Sequence, residues 1–407
     1  MPITYTHTHT PMPNHEIDTI LSTLRLQADP ELHPLFDQFE TYYEQKLWHQ
    51  LTKSLKLFFE NDKSAQLRLR VYDTFVSKFY DKINELDVVE FLLLSLKSHS
   101  DHDEAVKYLN ELKTSFVSID ERKQRNDGLG THRDGCLLID IEIARLTLLK
   151  GDLVKARDSL DSLEKTLETI DAVPLVLLNS FYSVNSLYYK LKNDFNNFYY
   201  TSLLYLSTID KEHERQLSVQ ELKALAYDLS IAALAGDKIY NFGELLQHPI
   251  MGNIANDENK EYEWVFQLLN SLTVGDFDTF DSLVTRQIPK VPVLAANEAF
   301  LRQKICLMAL VESVFSRNIR VLTFDDIARA AHLPRDNVEH LVMKSISLGL
   351  LKGSIDQVNE VVNITWVQPR IINFEQIKKM NDRLAGWDNQ VKRLAENLEA
   401  RGRSIWV

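Results

Sequence analysis

Thr323–Val367 reads TFDDIARAAHLPRDNVEHLVMKSISLGLLKGSIDQVNEVVNITWV, and its pattern changes from helical to extended part-way through. Thr323 stands three residues before Asp326, a capping-box spacing with Asp in place of the usual Glu, so a helix is expected over FDDIARAA. His332-Leu333-Pro334 then reads as a turn, with Pro334 placed to open the next helix. In RDNVEHLVMKSISLG the apolar residues Val338, Leu341, Val342 and Ile346 fall on one side. Gly349 can end that helix. LLKGSID and VVNITWV are rich in β-branched residues and are joined by Gln357–Glu360, which predicts a two-stranded hairpin. The strongly apolar LRQKICLMALVESVF, Leu301–Phe315, supplies a preceding helix. Three helices followed by a β-hairpin make a winged helix.

A winged helix raises DNA binding first, because the second helix of its helix-turn-helix can lie in the major groove. Here that helix, Arg335–Gly349, sets Arg335 and Lys344 against Asp336 and Glu339, for no net charge. From Lys304 to Arg370 eight basic residues face seven acidic ones. The electrostatic footprint of a nucleic-acid module is absent. The alternative use of such a sheet is protein contact, in which an edge strand pairs with a neighbour's strand. Val361, Val362, Ile364, Trp366 and Val367 are the candidate interface residues of that sheet edge, although each can equally pack the module's own core.

Downstream, Ile377, Met380, Leu384, Trp387, Val391, Leu394 and Leu398 recur at alternating steps of three and four. This is an a/d heptad register. Lys378, Lys379, Asp382, Arg383, Lys392, Arg393 and Glu396 lie between them, and Gly386 is the one poor helix former. Nothing nearby in sequence can cover such a seam, so these seven residues are the candidate contacts of a helix bundle. The chain ends in Ser404-Ile405-Trp406-Val407, which leaves three large apolar residues at the terminus.

Upstream, from Glu16 to about Phe300, amphipathic helices follow one another. Leu35, Phe36, Phe39, Tyr43, Leu47, Leu51, Leu55 and Phe58 form the stripe of one helix or a pair. Leu67–Tyr80 and Val88–Leu96 repeat the behaviour. Glu121–Gly135, ERKQRNDGLGTHRDG, reads as an exposed loop. A punctuation recurs at Gly151-Asp152, Asn193-Asp194, Gly236-Asp237 and Gly275-Asp276, at intervals of roughly forty residues. Gly or Asn in the left-handed conformation ends one helix, and Asp caps the next. That period fits a right-handed, tetratricopeptide-like solenoid of helical hairpins; an irregular helical bundle is the alternative.

The 407 residues and 44% hydrophobic content are ample for buried cores in two or three domains. Only 12 glycines favour helix over sheet. The fold class expected is all-α dominated: a disordered tail over 1–14, a solenoid over 15–300, a winged helix over 301–370, and a C-terminal bundle helix and tail over 371–407. A net charge of −12 disfavours phosphate backbones. Two cysteines, Cys136 and Cys306, build no disulfide framework and suggest a reducing compartment. The N-terminal MPITYTHTHTPMPNHE has no apolar signal core, and no apolar run nears the ~20 residues of a membrane span.

No catalytic, cofactor or metal site is expected. His7 and His9 form a His-X-His pair in a polar tail without an acidic partner at suitable spacing, and His102-Asp103 reads as a helix start. No phosphate-cradling glycine motif or nucleophile elbow is present. Carboxylates brought together only by folding stay open.

The stretch Asp336–Arg370 resembles the PCI family. The shared pattern is an acidic-capped helix, then Gly349, Leu350, Lys352-Gly353 and Ile355-Asp356-Gln357, then a strand ending in Trp366 and Arg370. PCI proteins are scaffold subunits of the proteasome lid, the photomorphogenesis signalosome and a translation initiation factor complex. NHEIDTILSTL, VSKFYDKIN, IYNFGELLQHPIM, FLRQKICLMAL and the ending ARGRSIWV look like the proteasome-lid branch of that family in its fungal form. The resemblance implies a non-catalytic lid subunit, acting in lid assembly and ubiquitin-dependent degradation in cytoplasm and nucleus. It implies sideways pairing with other PCI subunits through Val361–Val367, and bundling of Ile377–Leu398 with neighbouring C-terminal helices. It further implies contact with metalloprotease-like lid subunits and a neighbouring ubiquitin receptor. The same scaffold role in a sister complex is the runner-up reading, and a nucleic-acid-binding winged helix the rival from another class.

Overall fold

A computed structural model describes residues 14–97, 102–123, 132–209, 219–255, 262–316, 320–368 and 374–402. The chain divides into two compact units, Met1–Lys192 with Thr201–Ile209, and Asn193–Tyr200 with Asp210–Val407. That division falls inside the segment 15–300. The terminal residues His7, His9 and Ser404–Val407 lie outside the described residues.

The first unit is helical. It holds α1 (Asn14–Gln27), α2 (His33–Glu44), α3 (Trp48–Glu60), α4 (Arg68–Thr74), α5 (Glu85–Leu96), α6 (His102–Lys123), α7 (Arg133–Leu149), α8 (Leu153–Glu168) and α9 (Leu175–Lys192). The stripe from Leu35 to Phe58 becomes the pair α2–α3, turned at Lys46, whose φ is 56°. Its buried face is aromatic. Phe36, Phe39 and Phe58 meet edge to face with centroids 5.5–5.9 Å apart, and Phe59 stacks on Phe91 at 4.8 Å.

The stretch Glu121–Gly135 is less of a loop than its polarity suggests, because α6 continues to Lys123 and α7 starts at Arg133. Gly135 is buried inside α7, where an added Cβ would sit 3.1 Å from Glu85 and 3.2 Å from the Phe116 ring. The glycine serves helix packing, and no turn falls there. Asp120 ties the two helix ends together. Its carboxylate accepts from the His132 backbone N–H at 3.1 Å and from His132 Nδ1 at 2.7 Å, while the imidazole stacks on Phe116 at 5.1 Å.

The second unit carries α11 (Val219–Ala235), α12 (Gly243–Gln247), α13 (Gly252–Ala255), α14 (Glu263–Val274), α15 (Phe277–Gln287), α16 (Pro292–Ala296) and α17 (Glu298–Ser316). α10 (Phe195–Thr208) contributes residues to both units. The winged-helix part follows, with β1 (Val321–Thr323), α18 (Phe324–Ala331), α19 (Val338–Ser347), β2 (Leu351–Asp356) and β3 (Val361–Val367). α20 (Phe374–Gly402) ends it. Thr323 caps α18, its hydroxyl accepting from the Asp326 N–H at 3.3 Å and donating to the Asp326 carboxylate at 2.8 Å. Pro334 opens a short 3₁₀ turn, Arg335–Asn337, and the α-helix proper begins one turn later at Val338.

Three of the four punctuation sites have the left-handed residue that the helix-capping argument requires, and two of them have the aspartate cap as well. Gly151, Asn193 and Gly275 are left-handed, with φ of 88°, 61° and 78°. Asp276 then accepts from the N–H groups of Asp278 and Thr279 at 3.1 and 3.5 Å, and Asp194 from Asn197 at 3.3 Å. Asp152 bonds Lys155 and caps no N–H. At Gly275 a Cβ would also lie 2.9 Å from the Ala309 Cα. Gly275→Ala is therefore expected to cost about 1–3 kcal/mol, read as a lowered denaturation midpoint.

The fourth site departs from the pattern. Gly236 is not left-handed, and Asp237 caps nothing, since the next helix begins only at Gly243. A tertiary contact replaces the local cap. Lys304, on the apolar helix α17, is fully buried, and its Nζ donates to the carbonyls of Ala233, Leu234 and Gly236 at 2.8, 3.2 and 2.9 Å. These carbonyls belong to the end of α11 and lack the next helical turn. The rings of Tyr240, Phe242 and Phe300 stand 5.1–5.3 Å from the same nitrogen. Burial pushes the Lys304 pKa down to about 7. Three carbonyl acceptors and three ring faces work in the opposite direction, because only an ammonium has three protons to donate.

Candidate assembly interface

The sheet has the order β1-β3-β2. β3 is therefore central, which corrects the expectation that Val361–Val367 is a free edge. β1 pairs Val321, Leu322 and Thr323 with Asn363, Val362 and Val361, and β2 covers the other side from Leu351↔Val367 to Asp356↔Val361. A three-residue strand running straight into a capped helix carries no alternation to betray it. Of the five candidate residues, Val362 and Ile364 are core, Val361 and Val367 are half-buried, and only Trp366 is exposed. Trp366 lines a cleft of about 380 Å³ with Val314, Phe315 and Ile364, rimmed by Arg320 and Arg383. The edges are β1 and β2. Among the described residues no further strand pairs with β2, on which Lys352, Gly353 and Ser354 are exposed.

The second helix of the helix-turn-helix is ill-suited to reading DNA. Arg335 is ion-paired with Glu360 and stands 3.5 Å from Asp325, and Lys344 donates to Gln303. Both cations at this surface are thus engaged within the protein, and bidentate base contacts need free ones. Among the described residues no group of three or more His, Cys, Asp or Glu is placed to hold a metal, and no helix is long and apolar enough to cross a membrane. Folding does gather Glu85, Asp120, His132 and Asp134 at the start of α7. Burial raises the Glu85 pKa. His132 is 6% exposed and flat against Phe116, an arrangement that suits a clamp between α6 and α7.

The seam on α20 is where sequence and structure meet. All seven heptad residues lie on a single 29-residue helix, roughly 43 Å long. Each is exposed, from 45% at Val391 to 65% at Trp387. Large apolar side chains exposed in such a row mark a contact site. No intramolecular element covers them among the described residues. Lys304, β1 and the β2 edge are the parts that sequence reasoning missed. A lone lysine in the apolar run FLRQKICLMAL was the available signal for the first, since an unpaired cation on a buried face must find acceptors.

Comparison with known proteins adds a family. Residues 35–269 match PSD13 N-terminal repeats, and residues 285–366 match the PCI domain. The chain is 66% identical over 394 residues to the 26S proteasome regulatory subunit RPN9 of Saccharomyces cerevisiae, covering 97% of this chain and 99% of the relative. It belongs to the RPN9 family of PCI-domain proteins. An RPN9-family protein of Schizosaccharomyces pombe, a probable 26S proteasome regulatory subunit, is 40% identical over 94% of this chain and 95% of its own length. The 26S proteasome non-ATPase regulatory subunit 13 of Dictyostelium discoideum is 32% identical over 89% of this chain and 92% of its own. The match to the RPN9 C-terminal helix spans residues 370–402, the stretch that includes the whole of α20 and its seam.

Proposed function

We propose that this chain is a non-catalytic structural subunit of the 26S proteasome regulatory-particle lid, acting in lid assembly and so in ubiquitin-dependent degradation. One observation carries the reading: a long helix shared with the RPN9 family presents seven large apolar residues that its own fold leaves uncovered. Burying such residues releases ~1.5–3 kcal/mol each, so the helix gains most of its stability inside a bundle of partner helices. Ile377, Met380, Leu384, Trp387, Val391, Leu394 and Leu398 are the proposed bundle contacts.

The partners this reading calls for are other PCI-domain lid subunits, the metalloprotease-like subunits and the neighbourhood of a ubiquitin receptor, in cytoplasm and nucleus. The sideways contact is assigned to the open edge of β2, with Trp366 beside it, because the central strand has no free side along its first three residues. Ending the chain after Asn373 is expected to abolish incorporation into the lid while leaving the helical signal of residues 14–368 in place. Co-purification of the shortened chain with the lid at full occupancy would overturn the assembly role of α20.

A further inference from the structure

We propose that, in the free chain, the seam of α20 is covered by the α20 of a second copy, the two helices parallel and in register. This goes beyond assembly into a larger complex and does not depend on it.

With Ile377, Leu384, Val391 and Leu398 at a, and Met380, Trp387 and Leu394 at d, the flanking positions follow. The g residues are Gln376, Arg383, Gln390 and Asn397; the e residues are Asn381, Asp388, Ala395 and Gly402. Arg383 is the only charged g residue and Asp388 the only charged e residue. A parallel pair sets each g residue beside the e residue of the following heptad in the other helix. Arg383 then meets Asp388 of the second copy, and symmetry makes the contact twice. The remaining pairs are Gln376 with Asn381, Gln390 with Ala395, and Asn397 with Gly402. No like charges meet anywhere along the seam.

An antiparallel pair sets g against g and e against e. Arg383 would then face an amide or itself, and Asp388 an uncharged residue or itself. Only the parallel arrangement brings the two charges together. Two of the four a residues, Ile377 and Val391, are β-branched, and Leu394 stands at d after Val391, the combination that favours two strands. In the single chain Asp388 Oδ2 accepts from Lys392 at 2.7 Å, but both side chains are more than half exposed. Such a pair is weak and leaves the carboxylate able to accept from a second guanidinium.

Sedimentation equilibrium of the full chain across a concentration series tests this. The expected result is a mass that rises with concentration to twice the monomer value. Asp388→Arg sets a second arginine against Arg383 and is expected to weaken association about tenfold. Arg383→Asp should do the same, and the double exchange Arg383→Asp with Asp388→Arg should restore the parental constant. Leu384→Asp should leave a monomer of unchanged helical content. A parent chain that stays monomeric throughout, or a Leu384→Asp chain that associates like the parent, overturns the proposal. A double exchange that fails to restore association overturns the parallel arrangement. Because only the isolated chain is measured, a negative result leaves the lid reading standing.

Discussion

Lys304→Met is expected to destabilise the second unit by about 2–5 kcal/mol, since each buried acceptor left without its donor costs about 1–3 kcal/mol. The methionine fills most of the volume, so packing loss is small. The cost comes from the carbonyls of Ala233, Leu234 and Gly236, which stay buried and lose their common donor. Lys304→Arg should rescue it poorly, because a larger, planar guanidinium would replace a compact ammonium at an unexposed position beside the rings of Tyr240, Phe242 and Phe300. Hydrogen exchange of the α11 amides is the sensitive readout, since the lysine closes the end of that helix. A pH series adds a second signature. The folded-state pKa of Lys304, about 7, lies below its ordinary 10.5, so the unfolded chain binds more protons between those values. This lysine therefore makes the parent's stability rise with pH across that window, and the methionine variant should lack that component. A variant as stable as the parent at neutral pH would show that the three carbonyls are satisfied in another way.

The second large effect belongs to the seam. Leu384→Asp with Trp387→Asp places two carboxylates at adjacent a and d positions. Each substitution forfeits ~1.5–3 kcal/mol of apolar burial and adds the cost of desolvating a charge. Together they are expected to lower affinity for the assembled particle by three orders of magnitude or more. Asp382→Ala and Glu396→Ala, which sit at f positions opposite the seam, should change it little. Subunit stoichiometry in affinity-purified particles, measured by quantitative mass spectrometry, separates the two groups. The double variant should be nearly absent while retaining a folded body, because α20 contributes nothing to the buried core. Equal occupancy of the two groups would contradict a bundle role for α20.

How far the sequence could be read depends on how local the determining interaction is. The heptad on α20 needs only spacing, and no distant residue competes for its face, so its seven residues were legible one by one. The caps at Gly275-Asp276 and Thr323-Asp326 are equally local, and the expected hydrogen bonds form. Gly236-Asp237 has the same letters and a different outcome, because its carbonyls are met by an ammonium 68 residues away in sequence. No local pattern contains that information. The sheet fails for a related reason. β3 reads clearly as a strand, but whether it is central depends on Val321–Thr323, too short to show a period. The polar run Glu121–Gly135 departs in the other direction: its composition suggests a loop, but Gly135 serves the close approach of α7 to Glu85 and Phe116. Residues whose role is set by their nearest neighbours in sequence were legible, and those whose role is set by a tertiary contact were not.

These contrasts leave the uncovered seam as the feature on which the function turns. Hydrogen exchange over residues 374–402, compared between the free chain at low concentration and the chain within purified regulatory particles, addresses it most directly. The expected result is fast exchange in the free chain and strong protection of Ile377–Leu398 in the particle. Protection that is the same in both states, or exchange that stays fast in the particle, would contradict burial of this seam on assembly.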